Sequence, residues 1–252
     1  MTEILGIIPA RFASTRFPGK PLIDIAGKTM IQRVYEQCKK SKFLSNTIVA
    51  TDDARIYNHV LQFGGQVVMT ASHHQSGTDR CQEVAQLQRH YEVFINIQGD
   101  EPFIDPSQID LLCTCFEHPT HQLATLIKEI RTLEELNNPN TPKVVINSKQ
   151  EALYFSRTAV PYFKGKPIND WIKEHRYYKH IGIYGYRKQA LFDITHLPIS
   201  SLEKAESLEQ LRWLENGYRI QTAVTAADSQ AIDTPDDYHK IIKMLNNGTL
   251  NI

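Results

Sequence analysis

The chain has 252 residues, with Lys+Arg and Asp+Glu balanced at 28 each. That length holds one open-sheet core with insertions, and without an excess of cations bulk nucleic-acid binding is excluded, because many phosphates would have to be neutralised. No charged leader followed by an apolar run occurs, nor any apolar stretch approaching 18 residues, so the sequence predicts a cytoplasmic chain with no membrane insertion.

Ile4, Leu5, Ile7 and Ile8 form a run that predicts a buried first strand. Pro9, Pro18, Gly19 and Pro21 then forbid regular structure. Between Ile4 and Ile23 stand three cations, Arg11, Arg16 and Lys20, and no carboxylate. A cationic loop rich in small residues at the C-terminal end of a strand suits a triphosphate; the alternative is a solvated basic loop. The G-x-x-x-x-G-K-[ST] pattern does not fit, since its first glycine falls on Ser14 and its hydroxyl on Pro21. Any metal must therefore be held by carboxylates elsewhere in the chain.

Helical spacing follows over Lys28 to Lys40, a strand over Thr47 to Thr51 ending in Asp52-Asp53, and a helix from Ala54 to Phe63. Gln66 to Thr70 is a third strand, a helix starts near Asp79, and Val93 to Gln98 is a fourth strand ending in Gly99-Asp100-Glu101-Pro102. Strands alternating with helices imply a parallel sheet with right-handed crossovers. The polar loops all follow strands, so they gather at the edge where open α/β sheets bind ligands.

From Leu123 the alternation breaks down. Leu123 to Arg131, Lys143 to Asn147, Ala152 to Arg157 and Tyr177 to Arg187 read as strands with short connections, an antiparallel insertion at about 123–200. Period-two alternation puts His180, Gly182, Tyr184 and Tyr186 on one face, with a hollow at the glycine. Ser200 to Glu203 offers a capping box for one helix running to Asn216-Gly217, with Glu206 and Gln210 on its outward side. Ile220 to Ala226 is a strand, and Asp233-Thr234-Pro235 precedes a final helix, where Asp233 or Thr234 serves as a cap or Asp233 as a ligand.

Cys38, Cys81, Cys113 and Cys115 are expected to be reduced thiols. Cys113, Cys115, His118 and His121 are spaced more tightly than the usual zinc patterns, and the two cysteines diverge on a helix.

The run Ile-Pro-Ala-Arg-x-x-Ser-Thr-Arg-x-Pro-Gly-Lys-Pro at 8–21 resembles the signature of the sugar-acid cytidylyltransferases, most closely those acting on 3-deoxy-manno-octulosonate (Kdo). Further matches are His74 to Arg80, Gln98 to Pro102, Leu153 to Arg157, His180-x-Gly-x-Tyr184-Gly-Tyr186, Glu209 to Arg212 and Asp233 to Pro235. The resemblance runs the length of the chain. It implies a Rossmann-like nucleotidyltransferase fold with a mostly parallel central sheet flanked by helices, the insertion serving sugar binding and dimerisation. It also implies a single domain over 1–252 and a homodimer serving lipopolysaccharide synthesis. CMP would pass from CTP to the anomeric hydroxyl of Kdo, and pyrophosphate would leave.

Such a transfer rests on positioning and charge neutralisation. Lys20 and Arg11 would hold the triphosphate, with Arg16 and Ser14 beside them. Asp100 and Asp233 would hold Mg²⁺, a hard ion suited to a few carboxylates, phosphates and water; the resemblance implies two ions. Ala10, Gln75, Ser76 and Arg80 are the expected cytosine-side residues. The resemblance assigns Gln98, Arg157, His180, Tyr184, Glu209 and Gln210 to the sugar acid, with Arg157 on its carboxylate. Three other readings stand beside this one. They are a metal-dependent glycosyltransferase, disfavoured because Gly-Asp-Glu-Pro replaces Asp-x-Asp; the same reaction on an 8-amino analogue of Kdo; and a non-catalytic nucleotide-binding module.

Overall fold

The computed structural model describes residues 2–13, 17–228 and 230–250, arranged in two compact units, Met1–Cys113 with Ala227–Ile252 and Thr114–Ala226. Ser14 and Arg16, both assigned to the nucleotide, lie outside the described residues.

In the first unit β1 (Ile4–Ala10) is followed by a short hairpin, β2 (Asp24–Ile25) and β3 (Lys28–Thr29), and by α1 (Met30–Cys38). β4 (Asn46–Thr51), α2 (Ala54–Gln62), β5 (Val67–Met69), α3 (Gly77–Leu87), β6 (Val93–Asn96) and α4 (Pro106–Thr114) continue it. β1 pairs in parallel with both β4 and β6, and β4 with β5, giving the order β6-β1-β4-β5. β6, β1 and β4 are buried on both faces, with Leu5, Ile7, Ile8, Val49, Phe94 and Ile95 inaccessible, as in a parallel layer covered by helices on both sides, while β5 at the edge is only partly covered. All four C-terminal ends lie at one edge. The loops carrying Arg11, Asp52, Thr70 and Asp100 therefore share it, as the alternation predicted.

The second unit opens with a sheet strand, β7 (Leu123–Glu129), then α5 (Leu133–Asn137), β8 (Lys143–Ile146), β9 (Ala152–Ser156) and α6 (Ile168–Glu174). β10 (Tyr178–Arg187), α7 (Lys188–Thr195), α8 (Ser201–Glu206), α9 (Gln210–Glu215) and β11 (Ile220–Val224) complete it. β10 runs antiparallel to β7 and β8, and β8 to β9, so the expected antiparallel segment is present; β11 joins β7 in parallel.

The single helix expected to reach Asn216-Gly217 is instead two. α8 ends at Ser207, a left-handed residue with φ 51 and ψ 49, and α9 begins at Gln210. Arg212 grips Glu203 through Nε at 2.7 Å and Nη2 at 2.6 Å, and Ser201 Oγ donates to Glu215 at 2.9 Å. Residues nine and fourteen apart cannot touch along one straight helix rising ~1.5 Å per residue, so the two short helices fold back on one another. Gln210 correspondingly turns inward, 4% exposed, rather than outward.

The chain then re-enters the first unit and closes with α10 (Pro235–Asn246). Thr234 caps it, accepting from the Asp237 N–H while Asp237 reaches back to Thr234, with Pro235 in the first turn. Ile241 of α10 packs with Ile25, Met30 and Ile232 in a buried cluster.

Candidate active site

In the first unit the site is built from loop ends. β1 runs out at Ala10, 3% exposed, and the chain turns back so that the Gly19 N–H donates to the Phe12 carbonyl at 3.0 Å. Gly19 has φ 73, the left-handed region that favours glycine. A Cβ there would lie 3.2 Å from the Phe12 ring. The Arg55 guanidinium stacks 3.3 Å above that ring, while Asp53 binds Arg55 at 2.6 Å. Phe12 is thus pinned to the start of α2 by a cation–π contact that sequence alone does not reveal. Arg11 donates from Nη2 to the Ser76 carbonyl at 3.3 Å, joining this loop to the start of α3.

Lys20 follows Gly19 on a short 3-10 turn and points at two carboxylates. Its Nζ lies 2.8 Å from Asp100 Oδ2 and 3.2 Å from Asp233 Oδ1. Backbone brings the two aspartates together. Ile232 N–H donates to the Asp100 carbonyl at 2.9 Å, and Ile232 itself is buried. Gly99 allows the approach, since a Cβ on it would sit 2.7 Å from the Pro9 carbonyl oxygen. Asp233 is therefore more than a helix-capping neighbour; Thr234 does the capping and leaves the Asp233 carboxylate to the lysine. Two hard oxygen donors meeting one cationic centre fit a magnesium ion completed by phosphate oxygens and water.

The 72–78 loop is held from below. His74 Nε2 and the Glu83 carboxylate share a hydrogen bond, and Glu83 accepts from the Ala71 N–H at 2.9 Å. Burial pushes the Glu83 carboxyl up, but the hydrogen bonds from His74 and the Ala71 N–H outweigh it and hold the carboxyl below its ordinary value. Ser76 caps α3 through its side chain, which accepts from the Asp79 N–H, while its own N–H donates to Asp79 Oδ2 at 3.0 Å. Gln75 is exposed and donates to the His73 carbonyl at 3.1 Å. Arg80 lies under these loops, wholly buried. Its Nη1 donates to Thr70 and its Nη2 stands 3.4 Å from Asp52, tying the ends of β4 and β5 together. Gln98 follows β6 on the same edge, half-buried.

The second unit assembles most of the residues assigned to a sugar acid. In β10, Ile181 lies opposite Leu126 but Tyr184 opposite Thr125, so Gly182 and Ile183 bulge out of the ladder. The Thr125 hydroxyl, buried on β7, takes up the displaced carbonyls, lying 2.7 Å from Ile183 O and 3.2 Å from Ile181 O. With its proton so engaged it accepts from His180 Nε2 at 3.0 Å, leaving His180 Nδ1 as an acceptor. Burial pushes the His180 imidazole down to about 3, so it is neutral at ordinary pH. Because the bulge adds an even number of residues, the face alternation survives. His180 and Tyr184 rings lie 5.1 Å apart, and Tyr184 meets Trp213 of α9 edge-on at 5.1 Å. A Cβ on Gly182 meets no atom within 4 Å, the hollow expected there.

Two polar atoms in this layer stand unpaired. Tyr184 Oη and Gln210 Nε2 are buried without a hydrogen-bond partner, a cost of about 1–3 kcal/mol each if nothing satisfies them. Gln210 lies one turn from Trp213, on the helix face packed against Tyr184. Burial, with Tyr186 and Glu209 close by, lifts the Tyr184 phenol well above its ordinary range, so it remains an O–H donor. Arg157 sits elsewhere in the unit and is already engaged. It donates to the carbonyls of Glu206, Pro139 and Ser207 at 2.6, 3.0 and 3.2 Å. That leaves one N–H on each terminal nitrogen. Thr125 and Lys143, which help organise these residues, have no role assigned from the sequence, and Glu206, expected on an outward helix face, instead accepts from Ser156 and Arg157. Lys143 carries a signal, a lone cation opening the apolar run Val144-Val145-Ile146.

Cys113, Cys115, His118 and His121 do not form a ligand set among the described residues. His121 Nδ1 pairs with the Cys115 backbone carbonyl at 2.7 Å instead of its thiol. No helix among the described residues is long and apolar enough to cross a membrane.

A family model described as cytidylyltransferase matches residues 5–220. The chain is 56% identical over 252 residues to a 3-deoxy-manno-octulosonate cytidylyltransferase of Parabacteroides distasonis, covering 98% of this chain and 100% of the relative. It is 53% identical to the same enzyme of Bacteroides thetaiotaomicron, over 97% of this chain and 99% of that one. A solved structure of a CMP:2-keto-3-deoxy-manno-octonic acid synthetase complexed with CTP superimposes with a TM-score of 0.91 at 41% identity, covering 98% of this chain and 100% of the other. The chain belongs to the cytidylyltransferase family, and within it groups with the 3-deoxy-manno-octulosonate cytidylyltransferases.

Proposed function

We propose that this protein transfers CMP from CTP to the anomeric hydroxyl of Kdo, releasing CMP-Kdo and pyrophosphate for lipopolysaccharide synthesis. The observation that carries the reading is Lys20 bound to both Asp100 and Asp233 at the C-terminal edge of the parallel layer. A non-catalytic nucleotide module has no use for two carboxylates converging on the lysine of a cationic loop.

In the reaction the anomeric oxygen forms a bond to the α-phosphorus while the bond from that phosphorus to the pyrophosphate oxygen breaks. The hydroxyl proton passes to solvent. Lys20 and Arg11 would neutralise charge on the triphosphate and the departing pyrophosphate. Asp100 and Asp233 would hold magnesium, as two ions in the full reading. Bound magnesium supplies charge neutralisation and a lowered pKa for the attacking hydroxyl. No side chain is needed as a general base under that division.

The residues of the second unit suit a polyhydroxylated acid. Tyr184 donates, Gln210 donates from its unpaired Nε2, neutral His180 accepts through Nδ1, and Glu209 accepts. Arg157 retains one N–H on each terminal nitrogen for a carboxylate. The resemblance assigns Gln98 to the sugar acid as well.

The test is pyrophosphate release with each of the four ribonucleoside triphosphates, with and without Kdo and Mg²⁺. Release only with CTP, Kdo and Mg²⁺ together is expected; silence with every pair sinks the reading. The same reading places the enzyme in the cytoplasm as a homodimer, which light scattering at micromolar concentration would check by mass.

A further inference from the structure

Lys143 opens β8 with its side chain 0% exposed. Its ammonium spends all three protons on backbone carbonyls, those of Asn138 at 2.8 Å, Thr141 at 2.8 Å and Arg157 at 2.6 Å. A buried ammonium is costly unless its donors are satisfied, and these bonds make it a fixed charge that holds the 138–141 loop against the end of β9. Glu206 meets the same point from α8. Its carboxylate accepts from the Ser156 hydroxyl at 2.7 Å and the Arg157 backbone N–H at 2.9 Å. Arg157 is thereby held by its own carbonyl and its own N–H before its side chain makes any contact.

The side chain then explains the break between α8 and α9. Helix ends leave carbonyls without intrahelical donors. Arg157 supplies donors to two of them, Glu206 O from Nε and Ser207 O from Nη2. The chain turns at Ser207 with φ 51, a conformation usually left to glycine or asparagine. Two residues later come Glu209 and Gln210, and Gln210 enters the buried face with its Nε2 unpaired. The network also carries a charge surplus, with Lys143 and Arg157 positive and Glu206 alone negative. One anionic group brought to Arg157 would balance it.

We propose that Lys143 and Glu206 are positioning residues for the acid substrate. They fix Arg157 so that its two remaining N–H groups face a carboxylate, and through the break at Ser207 they set Glu209 and Gln210. This rests on the sugar-acid reading above.

Four variants test it in the full chain, with steady-state KM measured separately for Kdo and for CTP. Lys143→Met keeps the apolar stem and removes the donors, and Ser207→Val puts a β-branched residue where φ is positive. Both should raise the KM for Kdo about tenfold or more and leave the KM for CTP within about twofold. Glu206→Gln keeps one acceptor oxygen, enough for the Arg157 N–H, and meets Ser156 with an NH2 donor that the hydroxyl can accept; it should show a smaller rise, again for Kdo alone. Ser207→Gly tolerates the same backbone and should match wild type in both constants. An unchanged Kdo KM in Lys143→Met, an equal rise in both constants, or Ser207→Gly as impaired as Ser207→Val would overturn the proposal. If Lys143→Met fails to fold, the Ser207 pair decides it. Wild-type protein inactive with CTP and Kdo would instead sink the sugar-acid reading, so the two failures are distinguishable.

Discussion

Deleting the Asp100 carboxylate would leave Lys20 paired with Asp233 alone and remove one of two oxygen donors from the assigned cation. Asp100→Ala should keep the wild-type circular dichroism spectrum and lose at least about a hundredfold in kcat, at ~1.4 kcal/mol of barrier per tenfold. Magnesium-dependent turnover persisting in the folded variant would take Asp100 out of the ligand set. Lys20→Ala loses the charge that the proposed reading assigns to the triphosphate, and a loss of about a thousandfold or more in turnover, ~1.4 kcal/mol of barrier per tenfold, is expected; a near-normal rate would leave the loop a structural part. His180 gives a pH prediction. Burial holds it near about 3 in the folded chain, whereas an unfolded histidine titrates at ~6.5. Between those values the unfolded chain binds the extra proton, so stability rises with pH across the window. The contribution is complete above ~6.5 and is lost as pH falls toward ~3. The melting temperature of wild type should therefore fall more steeply than that of His180→Gln from pH ~6.5 to ~4. Equal slopes would assign the effect to another group.

Among the elements, the parallel layer was legible because each strand, loop and helix there is specified by neighbours in sequence. Apolar runs mark the strands, Thr234 with Pro235 marks the start of the last helix, and Gly99-Asp100 follows the last of those strands; the α3 start, expected near Asp79, lies at Gly77 behind the Ser76 cap. The α8–α9 corner was not legible for a different reason. Nothing local stops the helix at Ser207, where no glycine stands. The break is drawn by Arg157, fifty positions earlier, and closed by Arg212 on Glu203. Gln210 turned inward for the same cause, since Trp213 rather than Leu214 fills the face packed on Tyr184. Lys143 escaped because its partners are backbone carbonyls, which no side-chain pattern records. Gly99 offers the element-scale test. Gly99→Ala places a methyl 2.7 Å from the Pro9 carbonyl, and backbone cannot yield cheaply there. A loss of about 1–3 kcal/mol is expected from such overpacking, read by urea denaturation. Activity should fall further than stability, because β1 and the Asp100 loop must part. Wild-type stability in that variant would mean the two loops are less closely fitted than the structure has them.

On the scale of the whole molecule, balanced charge removes any general attraction for polyanions, so on the proposed reading binding of a triphosphate would come from the local array of Arg11, Lys20 and a magnesium ion at Asp100 and Asp233. Binding by that array should appear as stability, because a ligand taken only by the folded chain adds RT ln(1 + [L]/Kd), ~2.7 kcal/mol at a hundredfold excess over Kd. For a chain of this size each kcal/mol moves the melting temperature by ~2–4 °C, so saturating CTP with Mg²⁺ should raise it by about 5–10 °C. CTP without the metal should give a clearly smaller rise, since the triphosphate charge would then face Asp100 and Asp233 uncompensated. On the proposed reading ATP, GTP and UTP should give less than CTP, since Ala10, Gln75, Ser76 and Arg80 are assigned to the base. Asp100→Ala should lose the magnesium-dependent part of the shift and keep the part due to Lys20 and Arg11. Equal shifts for all four nucleotides would confine the site to phosphate recognition and move base selection out of the 72–80 segment.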